Sequence, residues 1–318
     1  MAMQSERTVA TLRAAALRVH TRRRGFLARV LGLGAGAAAL TTIDRDAEAQ
    51  IAPVAGVTDV GILNFALNFE YLGSEFYTNG LTGTGIAAAG LPITGSGTPG
   101  ATITKANPKV TFATPLLQQF FTELARDEQA HVLTVRATVG GIGGTPIAKP
   151  AIDLLNSFNT ASVLAGLGAS FDPYQNETNF LLGAYILEDV CVTALHGAAP
   201  LIVNKTVLDG AAGLLGVESY QAGAIRTLLN ELGEAGRTQA ISNLRAQASG
   251  EGDDYGVGDG AMNSNPNTGQ TSIVLSDPTG QAFARTFSQV LRIVYLNPNS
   301  SSTPGGFFPK GVNGTIAG

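Results

Sequence analysis

The residues best suited to chemistry are a glutamate and a histidine three positions apart, Glu128 and His131. Residues at this spacing project from one face of a helix, so the pair can offer a carboxylate and an imidazole to one metal ion. Histidine is scarce, because beyond residue 20 the chain has only His131 and His196. The spacing also occurs by chance on solvated helices, but the apolar neighbours Leu124 and Val132 favour a buried pair.

Three further glutamates lie in apolar stretches and are predicted to be ligands of the same site. Glu70 interrupts an apolar helical stripe, Glu188 lies in a run that is apolar nearly all round, and Glu218 follows Leu214, Leu215 and Val217. A carboxylate in a protein core must be compensated by a metal, a base or a proton. Glu75 faces away from Glu70 and is predicted to lie on the surface or just outside the ligand set.

Three more residues are predicted to support the ligands from outside. Gln221 follows Glu218 at the spacing where a second Glu-x-x-His pair would have its histidine. An amide oxygen is a weaker, neutral ligand for iron or manganese than an imidazole. Asp189 and His196 share another face of the third long helix and can either support the ligands or form a structural pair. For His196 a structural role is favoured over ligation.

These side chains require four long helices that meet in one core. Apolar periodicity and helix-end residues predict helices over 59–80, with Asp59 as N-cap, and over 115–141, with Thr114 as N-cap and Pro115 in the first position. Two more follow over 176–199 and 204–232, with a last helix at 280–294. Long Gly-rich connections occupy 80–113 and 141–175, the second with short helical pieces, and a polar stretch covers 249–272. The prediction is an all-α four-helix bundle with one long crossover, an extra C-terminal helix, and Phe307 and Phe308 docked on the bundle.

Composition limits the classes of function. The chain has 318 residues, of which 44% are hydrophobic and 14% charged, with 40 glycines and a net charge of −4. An acidic chain without basic clusters after the N-terminus does not favour binding to nucleic acid. No segment after residue 49 is predicted to span a membrane. Cys191 is the single cysteine, so no internal disulfide can form.

The N-terminus is predicted to be an export signal over residues 1–49, which leaves residues 50–318 as the folded domain. Arg23-Arg24-Gly25-Phe26-Leu27 precedes a Gly/Ala-rich apolar run and resembles a twin-arginine signal. Ala47-Glu48-Ala49 offers a small-x-small cleavage site before Gln50. Its removal would take eight basic and four acidic residues and lower the net charge from −4 to −8. The expected location is the periplasm or the extracellular space; the alternative is an uncleaved anchor or a basic arm.

Several segments together resemble the ferritin-like superfamily, and more narrowly its desiccation-related proteins. The resemblance covers most of the chain after residue 58 and is carried by LNFALNFEYLGSEFY, ELARDEQAHVLTVRA, NFLLGAYILEDVCVTALHGAAPLI, VESYQAGAIRTLL and GGFFPKGVNG. It implies one or two iron or manganese ions, held by ligands at Glu70, Glu128, His131, Glu188 and Glu218. Gln221 departs from the superfamily pattern, which has histidine there, and puts the second ion in doubt.

Three functions are compatible with these residues. The first is an oxidoreductase that acts on a small oxidant, peroxide or oxygen, at a carboxylate-bridged metal site. The second is a stress-protective protein without turnover, with a degenerate or mononuclear metal site. The third is a structural helical protein whose site has decayed, although few Lys or Arg residues lie near the predicted core to compensate its carboxylates. Iron storage in a shell is disfavoured by the long insertions, and a homodimer is compatible with the sequence.

Overall fold

Four long helices form the body of the protein. The computed structural model describes residues 56–250, 254–258, 272–276, 280–297 and 303–316. The predicted signal over 1–49 therefore lies outside the described residues. Within them the elements are α1 (Asp59–Thr82), β1 (Thr102–Ile103), α2 (Pro115–Gly141), β2 (Ile152–Asp153), α3 (Asn156–Leu164), α4 (Glu177–Ala198), a 3₁₀ turn (Ala199–Leu201), α5 (Lys205–Glu231), α6 (Ala235–Ser249) and α7 (Phe287–Val294).

Local capping chemistry sets the ends of the long helices close to the predicted positions. The N-cap of α1 is Thr58, whose hydroxyl accepts from the Gly61 amide, so the prediction of Asp59 as the cap was wrong by one residue. Asn204 caps α5 in the same way. Pro115 takes the first turn of α2 as predicted, but the Thr114 side chain does not cap the helix. Its hydroxyl instead donates to the Glu177 carboxylate at 2.6 Å.

Two carboxylates show how the long helices are oriented. The carboxylate of Asp59 accepts from the amides of Val203 and Asn204, which places the first residues of α1 and α5 at one end of the bundle. The carboxylate of Glu177 accepts from the amides that precede α2, which places the first residues of α2 and α4 at the other end. Helix α1 is thus antiparallel to α2 and α4. The long crossover between α2 and α4 makes this arrangement possible, and the predicted fold is confirmed.

The connections and the C-terminal tail are anchored on the bundle. β1 and β2 pair in parallel, with Thr102 opposite Ile152, and so join the first long connection to the crossover. The tail brings Phe307 against Phe158 and Phe308 against Phe69, with ring centroids 5.1 and 5.8 Å apart. Both tail phenylalanines are fully buried, which confirms the predicted docking.

The shorter helices depart from the prediction. Helix α6 occupies residues for which no helix was predicted, because its buried face mixes Ile241 and Leu244 with Thr238, Ser242 and Arg245. On a face of that composition the apolar residues do not recur at helical spacing, so the sequence pattern does not predict a helix. Helix α7 begins seven residues later than the predicted 280, since a Thr286 capping box starts it. The crossover has one helix, α3, in place of two short pieces.

One described helix is long and apolar enough to cross a bilayer, the continuous stretch Glu177–Leu201. The prediction that no segment after residue 49 spans a membrane agrees with this to the extent that the described residues contain one weakly apolar helix and no clear transmembrane segment. The structure buries 67% of its most apolar window inside the protein, as is typical of a helix in a protein core.

Candidate metal centre

Side chains from three of the four long helices converge at one buried point. Glu70 on α1, Glu128 and His131 on α2, and Glu218 on α5 each offer a ligand atom, and these atoms all lie within 4.8 Å of one another. The Nδ1 atom of His131 lies 3.1 Å from Glu218 Oε1, 3.4 Å from Glu70 Oε2 and 3.6 Å from Glu128 Oε1. All four side chains are buried. We call these four residues the carboxylate–histidine cluster.

Glu188 on α4 lies beside the cluster but is not one of the four. Its Oε1 atom accepts a short hydrogen bond from the Tyr77 hydroxyl, and its Oε2 atom is buried without a hydrogen-bond partner. Burial raises the pKa of Glu188 well above its usual range, and the carboxylates of Glu218 and Glu128 raise it further. Through Glu188 the fourth long helix contributes a carboxylate next to the other three.

A glycine on α1 makes room for one of the cluster carboxylates. A Cβ atom added to Gly73 would lie 3.1 Å from Glu128 Cδ and closer still to Oε2. Ordinary contact between carbon atoms is about 3.5–4.0 Å. Only glycine at this position allows Glu128 to lie against α1, three residues along from Glu70.

The cluster concentrates negative charge where solvent does not reach. Burial raises the pKa of Glu70 and of Glu128, and the carboxylate of Glu218 adds to both shifts. Burial lowers the pKa of His131, but the carboxylates of Glu128, Glu218 and Glu70 outweigh it and leave that pKa raised. Within the described part of the chain, no Lys or Arg makes an ion pair with these carboxylates or with Glu188. The ionised cluster therefore needs a cation or several protons.

The donor atoms fit a divalent metal ion. His131 Nδ1 is close to three carboxylates, yet it is not aligned for a hydrogen bond with any of them, and Glu218 Oε2 is also buried without a partner. Such orphaned atoms are expected where a ligand lone pair points at a common centre. Carboxylates together with imidazole suit iron and manganese. The residues present are thus compatible with metal binding.

The three predicted supporting residues have different surroundings. Gln221 is buried one turn from Glu218, and both polar atoms of its amide are without a hydrogen-bond partner. Asp189 makes ion pairs with Arg226 and Arg245, each at 2.8 Å. His196 Nδ1 lies 3.3 Å from the Phe283 carbonyl oxygen.

Two parts of the sequence interpretation are corrected by these contacts. Asp189 and His196 do not pair with each other, and no hydrogen bond or ion pair among the described residues joins either to the cluster. Glu75 is not on the surface: it is buried 3.5 Å from Lys149 Nζ and accepts from the Asn79 amide group. The Glu75–Lys149 pair anchors the connections beside α1.

Sequence reasoning missed the two residues that position the ligands most directly. Tyr77 lies seven residues after Glu70, two helical turns along the same face, and that spacing was the signal that could have identified it. Gly73 lies between them on that face and carried a weaker signal, since an isolated glycine inside a helix usually has a packing reason.

A four-helix core that brings carboxylates and one imidazole together defines the ferritin-like class. The model of the family described as "Ferritin-like domain" matches residues 58–231, and the chain belongs to this family. It is 30% identical over 274 residues to "Ferritin-like catalase Nec2" of Nesocodon mauritianus, which covers 81% of this chain and 85% of that protein. It is also 30% identical over 276 residues to "Desiccation-related protein PCC13-62" of Craterostigma plantagineum, with 81% and 83% covered. No solved structure matches the chain.

Proposed function

We propose that this protein binds iron or manganese at the carboxylate–histidine cluster and Glu188, and that the loaded site breaks down hydrogen peroxide. The observation that carries the proposal is the convergence of three buried carboxylates on a single base, His131, with no Lys or Arg paired to them in the described structure. A fourth buried carboxylate, Glu188, lies beside them. When bound, the metal would supply a redox couple for two-electron chemistry on peroxide. The printed name of one relative, a ferritin-like catalase, supports the choice of peroxide as substrate.

The chain's own residues suggest how the ligands are divided between two metal positions. Glu70, Glu128, His131 and Glu218 have ligand atoms close enough to share one ion. Glu188, adjacent to Glu218, would complete a second position together with the Gln221 amide, a weak neutral ligand. Tyr77 holds Glu188 and can keep a proton at its hydroxyl, because burial raises the pKa of Tyr77 well above its usual range.

The alternative is a protective protein that holds one metal ion and does not turn over substrate. Gln221 favours it, because an amide in place of imidazole weakens the second metal position. The printed name of the second relative, a desiccation-related protein, also fits such a role. In this case the ion would act as a structural staple that compensates the buried carboxylates.

Elemental analysis distinguishes these possibilities. The protein would be produced with iron and manganese both supplied, beside the double variant Glu128→Ala, His131→Ala and the control Glu123→Ala, an exposed glutamate on the same helix. Two equivalents of metal, lost in the double variant and kept in the control, together with oxygen release from peroxide, would support the enzyme. One equivalent without oxygen release would support the protective protein. A folded wild type without metal would refute both.

We also propose that the protein is exported, with residues 1–49 as a removable twin-arginine signal. The proposal rests on the arginine pair, the apolar run and the Ala47-Glu48-Ala49 site. The mature N-terminus is expected to be Gln50, measured by mass spectrometry of the exported fraction. Replacement of Arg23 and Arg24 by lysine should retain the protein in the cytoplasm; unchanged export would contradict the proposal.

A further inference from the structure

An apolar cavity lies between α1, α3, α4 and α6. Its volume is about 40 Å³, and its walls are aliphatic and aromatic side chains, among them Leu72, Phe158, Ala161, Ile186, Ile241 and Leu244. The α7 residues Ile293 and Val294 close another side. We call this space the α6-side cavity.

The α6-side cavity adjoins the candidate metal centre. Gly73, against which the Glu128 carboxylate packs, forms part of its wall, and so does Glu188. Glu188 is 2% exposed, and its Oε2 atom has no hydrogen-bond partner. A buried, unpartnered carboxylate atom on the wall of an otherwise apolar cavity is unusual, because such an atom is normally satisfied by protein or water. The cavity therefore borders the candidate metal centre at Glu188 and Gly73.

The charged residues at the edge of the cavity are already neutralised. Arg237 binds the Glu234 carboxylate through Nε and Nη2, both at 2.6 Å. Arg245 is held by Asp189 and Asp254 at 2.8 Å each. Neither guanidinium is free to bind an anion, so the cavity does not suit a carboxylate or phosphate ligand. Its lining favours a small neutral molecule that needs no hydrogen bonds.

The volume of the cavity is compatible with a small guest molecule. A cavity needs roughly 10–15 Å³ to hold one water-sized sphere. The volume of about 40 Å³ is therefore enough for a diatomic gas. Apolar cavities stay dry and take up apolar guests, whereas peroxide would lose its hydrogen bonds to water there.

We infer that the α6-side cavity is a binding site for molecular oxygen next to Glu188. Breakdown of two peroxide molecules yields two waters and one dioxygen, so the proposed reaction produces a guest of this size and polarity beside the cavity. A second apolar cavity of about 30 Å³, lined by Glu70, Phe69 and Cys191, flanks the centre on another side. Phe69 and Cys191 also line the α6-side cavity. Binding of oxygen needs no metal, but its part in turnover rests on the proposed function.

The test uses dissolved oxygen itself as the probe. Because dioxygen is paramagnetic, it speeds the relaxation of methyl signals that it approaches. The full chain would be labelled at isoleucine methyls and measured under oxygen pressure, both as purified and after metal removal. Ile186, Ile241 and Ile293 line the cavity, whereas Ile152 and Ile225, which are also buried, line neither cavity. We expect enhanced relaxation at the first three relative to the other two, with and without metal.

Matched variants show whether the cavity is responsible. Ala161→Leu and Ala248→Leu fill it from α3 and α6, and either should abolish the enhancement at Ile186 and Ile241. Val163→Leu, an exposed position on α3, should leave it unchanged. Equal relaxation at all five isoleucines of the wild type, or enhancement that survives both filling variants, would overturn the inference. A protein without metal or peroxide activity that still shows the enhancement would refute the proposed function alone.

Discussion

Substitution of Gly73 by alanine tests the metal site separately from the stability of the fold. The added Cβ atom would lie 3.1 Å from Glu128 Cδ and closer to Oε2, so the carboxylate must withdraw. Cδ alone has to move by about 0.4 Å to reach ordinary contact, and Oε2 by more. Metal–ligand distances tolerate only about 0.2 Å. The variant should therefore lose Glu128 as a ligand.

The fold should tolerate the same change. The displaced atoms are at the end of a flexible side chain, and alanine is favoured over glycine inside a helix by about 0.5–1 kcal/mol. We expect the metal-free variant to be at least as stable as the metal-free wild type. Its metal affinity should fall by about 10–100-fold, the loss typical when the support of a metal ligand is removed.

Two measurements check this prediction. Metal affinity is obtained by titration, and stability by urea unfolding of the metal-free proteins. The matched control is Gly223→Ala on α5, where an added Cβ would meet no atom within 4 Å. Wild-type metal affinity in the Gly73→Ala protein would refute the assignment of Glu128 as a ligand. A large loss of stability would show instead that the close approach of α1 and α2 cannot adjust.

Three further perturbations test neighbouring parts of the structure. Gln221→His supplies the imidazole that the second position lacks and should raise the bound metal by one equivalent in elemental analysis. Asp189→Asn removes the counter-charge of the buried Arg226 and should lower the free energy of unfolding in urea by about 3–5 kcal/mol. The metal content of the folded fraction should stay that of the wild type, because Asp189 makes no ion pair or hydrogen bond with the cluster. The metal-free protein should lose stability as the pH rises from about 5 to 8, whereas the stabilisation by added metal should grow, both measured as Tm.

The sign of the pH effect follows from the raised pKa values. Burial raises the pKa of Glu70, Glu128 and Glu188 above the value of about 4.3 that glutamate has in an unfolded chain. Above that pH the folded protein holds more protons than the unfolded one, so its stability falls as the pH rises. The raised pKa of His131 acts in the same direction above about pH 6.5. Bound metal takes the place of these protons, which is why the stabilisation by added metal should grow with pH. A metal-free protein whose Tm rises over this range would contradict the conclusion that the cluster is buried without a compensating charge.

Each of the three perturbations can fail in a distinct way. An unchanged metal content in Gln221→His would show that the amide does not occupy a ligand position. Loss of metal from the folded Asp189→Asn variant would show that Asp189 does support the metal ligands. The control for both is Asn243→Ala on α6, whose exposed side chain accepts a hydrogen bond from Gln239.

The approximate ends of the four long helices and the faces of single helices were determined by the sequence alone. Pro115 begins α2 and Asn204 caps α5 because both act on the backbone within one turn of their own position. Glu128 and His131 share a face because the helical period fixes the direction of residues three apart. The apolar surroundings of Glu70 and Glu218 were likewise sufficient to predict that they are buried.

The depth at which different helices meet was decided only by the tertiary structure. Glu188 and Tyr77 are 111 residues apart in sequence, and only the packing of α4 against α1 brings the phenol to the carboxylate. Asp189, next to Glu188, turns instead to Arg226 and Arg245, which lie on two other helices. Helical periodicity assigns each side chain a direction but no partner. The contact partners of a side chain follow from the lengths of the connections and from close packing between elements. No single stretch of sequence specifies either of these.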